Sequence, residues 1–334
     1  MLPFLSKFVA ILRIGACGSA RSILATRCGS VVLLIGLIVA HALGDTAPSS
    51  AEAHGKVLLE KILADQPDGL WKGAGLSSIR LVAQSPRQIY STGLKPIWHA
   101  SIVTKSAAHG YLAWDAAAPG HLVEFALDSD RPSAGAHVVA GVPNLQQFPV
   151  PGTSAPRVAS GCVPTAGASL IGYWISNGFP QWTSDFVRQA GETDLKAIVS
   201  RLRNKIPMQE LPDNAGYTED HMPLSGAMPE ELAKAIEEDA ALHGIKVTVA
   251  LEKFAMEVLK REVKAKRPVL LTCTVRLPHK PELSWGHEIV GVGWARIDGE
   301  DFVGICDNFF PVDNAQTTRW IRADAFQSIL TVIP

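Results

Sequence analysis

The sequence predicts an α+β protein, with a small β-rich region ahead of a larger domain in which helices precede a run of antiparallel strands. Three observations carry that prediction. Between Ile79 and Leu127, short apolar runs alternate with turn clusters, as half-buried strands do. Between Cys162 and Lys266, three stretches repeat their apolar residues at helical spacing. From Val269 to Ile321 the strand-like runs return.

A chain of 334 residues with 47% hydrophobic content can bury a large core and exceeds one typical domain. Its formal net charge of −1 argues against a nucleic-acid partner or an anionic membrane surface. The sequence divides into residues 1–44, a β-rich stretch over 45–140, and a domain over 141–334.

The first stretch reads as a leader. Lys7, Arg13, Arg21 and Arg27 precede the apolar run Val31 to Ala40, and no acidic residue appears before Asp45. With Ala40-His41-Ala42 as the cleavage site, this is the layout of a secretory signal. Val31 to Leu43 spans about 13 residues, fewer than the ~20 a membrane helix needs, so an uncleaved anchor is the second choice. Cleavage near Ala42 predicts a secreted or periplasmic protein. Removing the four basic residues leaves 27 basic against 32 acidic, a net charge of −5, an ordinary soluble surface.

Next, Ala47 to Gly55 is small and polar and reads as a linker. Lys56 to Ala64 has helical spacing, with Pro67-Asp68-Gly69 as a stop. Strands follow at Ile79–Val82, Ile97–Val103, Tyr111–Trp114 and Leu122–Leu127, separated by turns such as Ala116 to Gly120, which predicts antiparallel hairpins. Ser129 to Val158 is rich in Pro, Gly and Ser and reads as a connection.

In the second domain a helix is expected from Cys162 to Ser176, stopped by Asn177-Gly178. Pro229 to His243 is a second helix, with acidic residues at its start and Gly244 beyond its end. Ile245 to Val249 is a strand, and Leu251 to Lys266 a helix closed by Arg267-Pro268. Strands are expected from Val269, over Ile289–Ala295 and Phe302–Cys306, and at Arg319–Ile321.

Cysteine usage separates one thiol from the others. Of five cysteines, Cys17 and Cys28 fall in the leader, leaving Cys162, Cys273 and Cys306. An odd number in an exported chain leaves one thiol free or pairs it between chains. Cys273 and Cys306 sit in apolar strand runs and read as small core residues. No Cys/His cluster has zinc spacing, and neither a metal nor an organic cofactor is expected.

Cys162 differs because Ser160-Gly161-Cys162-Val163-Pro164-Thr165 delivers its thiol to the first turn of a helix. Helix starts leave N–H groups unpaired and carry a positive dipole end, which stabilise nearby negative charge. About 125 residues later, Trp285-Gly286-His287 opens an apolar strand, and Ile305-Cys306-Asp307-Asn308 closes another some 20 residues beyond. A thiol at a helix start with a distant histidine is the pattern of a nucleophile and its base. Strand alternation puts Asp307 and Asn308 on opposite faces, so one of them reaches the ring.

These segments resemble the papain-like cysteine peptidases, within which they look most like the bacteriocin-processing, double-glycine-leader group. The resemblance covers roughly Gly141 to Pro334 and implies a central helix packed on an antiparallel sheet. It implies Cys162 as nucleophile, His287 as base and acid, and Asp307 as the residue that orients the imidazole, with a peptide or protein as substrate. That family often carries a glutamine six residues before the nucleophile as an oxyanion donor; here the position is Pro156. Gln146 and Gln147 lie further upstream and would reach the site only through a folded-back loop. The Cys162 backbone N–H offers one donor, and the Trp285 indole is a candidate for the second.

The expected function is therefore an exported cysteine peptidase. Two alternatives stand beside it: a transpeptidase or amidase acting on cell-envelope peptides, and a degenerate domain that binds without catalysis. The β-rich stretch over 45–140 reads either as a pro-segment, removed by a cut in the Val150 to Ser154 loop, or as a permanent substrate-binding part.

Overall fold

The computed structural model describes residues 48–64, 73–82, 96–104, 108–118, 120–127, 135–152, 156–183, 191–210, 223–277, 280–308 and 318–334. The expected leader over residues 1–44 and the Thr153-Ser154 part of the proposed processing loop lie outside them.

Helix α1 (Pro48–Leu63) opens the described chain, with Ala51, Leu58, Leu59 and Ile62 buried along one face. It begins eight residues before the helix expected from Lys56, inside the presumed linker. Small residues conceal the amphipathic stripe there, because close packing requires them. A Cβ on Gly55 would meet Leu76 Cδ1 at 2.6 Å and the Trp114 ring at 2.9 Å. Strands β1 (Gly75–Val82), β2 (Ile97–Val103), β3 (Ala108–Asp115) and β4 (Leu122–Leu127) follow as an antiparallel meander, as their alternation predicts.

Three two-residue strands come next: β5 (His137–Val138), β6 (Pro149–Val150) and β7 (Val158–Ala159), of which β6 and β7 pair as a hairpin. Helix α2 (Cys162–Ser176) then runs over the expected residues, with every position from Cys162 to Ile175 buried. Its apolar surface is continuous, so neighbours must cover it on all sides. One of them, α3 (Glu192–Lys205), was not expected from the sequence; Leu195, Ile198, Val199 and Leu202 form its buried stripe. Strands β8 (Gln209–Glu210) and β9 (Ser225–Gly226) pair before α4 (Pro229–Leu242), which has Pro at its start and Glu230 and Glu231 in its first turn.

Strand β10 (Thr248–Lys253) and helix α5 (Met256–Lys264) correct the expected helix over Leu251 to Lys266. Leu251, Glu252 and Lys253 pair with Leu330, Ile329 and Ser328 of a strand near the C-terminus, and this distant pairing overrides local helical spacing. The remaining strands are β11 (Val269–Leu277), β12 (Lys280–Ile297), β13 (Glu300–Cys306), β14 (Arg319–Arg322) and β15 (Phe326–Ile333).

The result is a mixed α+β architecture with a large antiparallel sheet and, among the described residues, five α-helices. The eleven-stranded sheet runs β1-β2-β3-β4-β14-β13-β12-β11-β15-β10, with β5 added against β12. Strands from both sides of residue 140 meet at the β4–β14 ladder, where Ala126, Phe125 and Glu124 face Arg319, Trp320 and Ile321. One core lies between α2 to α5 and the C-terminal strands. A second packs α1 on β1 to β4 and takes in Ala295, Ile297, Phe302 and Trp320 from beyond residue 140. Residues 48–334 form one unit of contacts. No described helix is long and apolar enough to cross a membrane.

Candidate active site

The loop before α2 is built to hold Cys162 in one position. Gly161 has φ of 90°, a conformation L side chains resist, and a Cβ there would meet Met208 Cε at 2.6 Å and the Ser225 carbonyl oxygen at 3.1 Å. Ser225 Oγ donates to the Ala159 carbonyl at 2.6 Å, and Arg203 Nη1 donates to the Ser160 carbonyl at 2.6 Å. Thr165 Oγ1 donates to the Gly161 carbonyl at 2.6 Å from inside the first turn. The backbone leading to the thiol is thus fixed from three sides.

Strand β12 carries the histidine. His287 lies opposite Cys273 on β11, in mid-strand rather than at a strand opening. Its Nε2 is 3.4 Å from Asp307 Oδ1 at the end of β13, and both side chains are buried. Burial alone would push the ring towards its neutral form. The hydrogen bonds to Asp307 and Cys162, with the charges of both, outweigh burial and raise the His287 pKa to about 9. Cys162, His287 and Asp307, separated by up to 145 residues in sequence, are therefore brought together.

The alternation at Asp307 and Asn308 divides their roles. Asp307 faces the ring, while Asn308 Nδ2 donates to the Cys162 carbonyl at 3.0 Å and to the Glu288 carbonyl at 2.9 Å. Asn308 thereby ties the start of α2 to the strand holding His287. The second Asp307 oxygen accepts from Arg319 Nη1, and Arg319 Nη2 donates to Glu124 Oε1 at 2.6 Å. Tyr111 completes this buried network, donating to Glu124 and accepting from Arg319 Nε at 3.1 Å.

Cys162 and His287 line a cleft of about 640 Å³ between the start of α4, the β8–β9 region and strands β11, β12 and β15. Gln147 also lines it, 15 residues before Cys162 in sequence. The intervening chain folds back as the β6–β7 hairpin. It is closed by Ser160 N–H donating to the Phe148 carbonyl at 2.8 Å and Gln147 N–H donating to the Asn308 carbonyl at 2.9 Å. Gln147 Nε2 is buried with no hydrogen-bond partner among the described residues. The Trp285 side chain, the other candidate donor, lies outside the described residues.

Cys273 Sγ donates to the His287 carbonyl at 3.5 Å, and burial holds this thiol well above its usual range, with Asp307 and Glu288 adding to the shift. It is a fully buried thiol beside the site. Cys306 is half-buried, and none of the three described cysteines is in a disulfide. Among the described residues no group of three His, Cys, Asp or Glu side chains is arranged to hold a metal.

A buried sulfur at a helix start, an imidazole whose pKa is raised and a carboxylate with an opposing cation form a set that can activate a thiol and shuttle one proton. The sequence offers Gln146 and Gln147 as donors only through a folded-back loop, and the fold brings Gln147 to the cleft that way. Nothing in the sequence singles out Glu288, Arg319 or Glu124. Neither the family models nor the curated proteins contain a match to this chain, so the geometry carries the functional reading.

Proposed function

We propose that this protein is a papain-like cysteine peptidase that cleaves peptide amide bonds through a thioester. The observation that carries the reading is the convergence of Cys162, His287 and Asp307 at one cleft. Cys162 Sγ attacks the amide carbon while its proton resides on His287, and the carbonyl oxygen takes up the displaced electron pair. His287 then gives that proton to the departing amine, leaving a thioester. Water, deprotonated by His287, attacks the thioester, and collapse releases the acid and restores the thiol. Asp307 keeps the ring in the required orientation throughout.

Two donors suit the developing oxyanion: the Cys162 backbone N–H at the helix start and the Gln147 amide. Gln147 takes the role that Pro156 cannot fill, which removes the motive for reading the domain as degenerate. Export to the periplasm or the outside is part of the same proposal, resting on the basic-then-apolar leader.

Iodoacetamide labelling followed by peptide mapping tests the chemistry. Cys162 is expected to label far faster than Cys273 or Cys306, and His287→Ala to suppress that advantage. A Cys162→Ala protein should lose all hydrolysis of fluorogenic peptides. Equal labelling of the three thiols, or hydrolysis that survives Cys162→Ala, overturns the reading.

A further inference from the structure

Five carboxylates are fully buried among the described residues: Glu124, Asp239, Glu262, Glu288 and Asp307. Four of them carry an arginine. Glu124 and Asp307 share Arg319, Asp239 pairs with Arg201, and Glu262 is held by Arg261 and Arg267. Glu288 has none. Its Oε2 accepts from Thr272 Oγ1 at 2.6 Å, and Thr272 in turn accepts from Ser328 Oγ at 2.7 Å. Its Oε1 has no hydrogen-bond partner among the described residues, although Glu288 is only 1% exposed. Buried acceptors are normally paired, and an unpaired one lining a cleft marks the place of a missing donor.

We propose that this cleft recognises a cationic substrate group, the ammonium or guanidinium of a basic side chain, and that Glu288 determines that specificity. The inference rests on the hydrolase reading, since it names the substrate class of the same site. Glu230 and Glu231, at the start of α4, line the cleft with Glu288, and no lysine or arginine is among its lining residues. Leu224, Met228 and Pro229 line it too and provide apolar contact for the methylene stem of a lysine or arginine. Burial pushes the Glu288 carboxyl up to about 7, Glu230 adds to the rise, and Thr272 and His287 oppose it. An entering cation would add the opposing charge that the other four buried carboxylates already have. Three carboxylates in one cleft also repel an acidic substrate group.

The probes are matched methanethiosulfonates bearing aminoethyl, methyl or sulfonatoethyl groups. Each transfers its thioalkyl group to the Cys162 thiolate and releases methanesulfinate. Rates at Cys162 are measured at pH 8 by mass spectrometry and divided by that of the neutral methyl reagent. The cation is expected to outrun the anion by about tenfold, and Glu288→Gln to reduce that ratio about threefold. Glu230→Gln, at an exposed position on α4, lowers the ratio in the same direction and serves if the Glu288 variant does not fold. A ratio near one, or one that neither substitution alters, overturns the proposal.

A peptide panel separates the two readings. Hydrolysis without preference for Lys or Arg over norleucine and Glu sinks the cationic pocket and leaves the peptidase. A Glu288-dependent reagent ratio with no peptide cleaved keeps the pocket and sinks the peptidase.

Discussion

Arg319 grips the far oxygen of Asp307 while His287 faces the near one, so the carboxylate is held from both sides. The guanidinium is itself anchored by Glu124 and Tyr111, from strands that precede residue 140. Removing one member of such a buried network leaves an uncompensated charge, which costs about 3–5 kcal/mol. Glu124→Gln should therefore destabilise the protein by about that amount in urea unfolding. As a positioning residue acting through Arg319 and Asp307, it should also lower kcat with little change in KM. An unchanged kcat in the folded variant would confine Glu124 to a structural role.

Gln147 and Cys162 give separable tests because alkylation of a thiol develops no oxyanion. Gln147→Ala should cut kcat for peptide hydrolysis by about 10²-fold to 10³-fold. The rate at which iodoacetamide modifies Cys162 should stay close to that of the parent. A parallel fall in both rates would mean that Gln147 shapes the loop rather than the transition state.

The His287 ring titrates at about 9 in the fold against an ordinary 6.5, because Asp307 and Cys162 together outweigh its burial. The protonated ring therefore stabilises the protein fully below about pH 6.5, and that contribution disappears as the pH rises through about 9. Melting curves of the parent and of His287→Gln should converge between pH 7 and pH 10. Parallel curves across that range would contradict the assigned direction.

Glu288 shifts in the same direction for a different reason. Burial raises its carboxyl from 4.5 to about 7, so its neutral form suits the fold, and stability is lost as the pH rises from 4.5 through 7. Glu288→Gln keeps the shape without the charge. Relative to its effect at pH 5, the substitution should stabilise the protein at pH 8, by at most about 3 kcal/mol. Equal shifts in melting temperature at both values would show that burying this charge costs nothing.

Much of the architecture was legible because local signals and tertiary demands agree. Cys162 to Ser176 is mostly apolar, begins after a glycine and stops at Asn177-Gly178, and its helix has the expected bounds. That Asp307 and Asn308 face opposite ways could be read from the strand period; the choice of Asp307 for the ring came from the family resemblance, and Asp307 is the one that meets His287. Elsewhere distant partners decided. Leu251 to Lys253 became strand because β15, itself unforeseen, lies beside them. Helix α3 was missed because its charged face lowers its mean hydropathy and obscures four buried apolar residues. Gln147 reaches the cleft through a hairpin whose closure depends on Phe148 and Ser160, a long-range pairing with no periodic signature. Glu288 stood inside the histidine motif, but its lack of an arginine is visible only in three dimensions.

The β4–β14 ladder makes the Asp307 carboxylate dependent on strands from both sides of residue 140. After a protease nick near Val150, the two fragments are expected to stay paired along that seam. Fragments ending after β4 and beginning before β5, expressed apart, should reassociate on mixing and regain the thiol reactivity that neither has by itself. Loss of the N-terminal strands would remove Glu124 and Tyr111, the groups that hold Arg319 against Asp307.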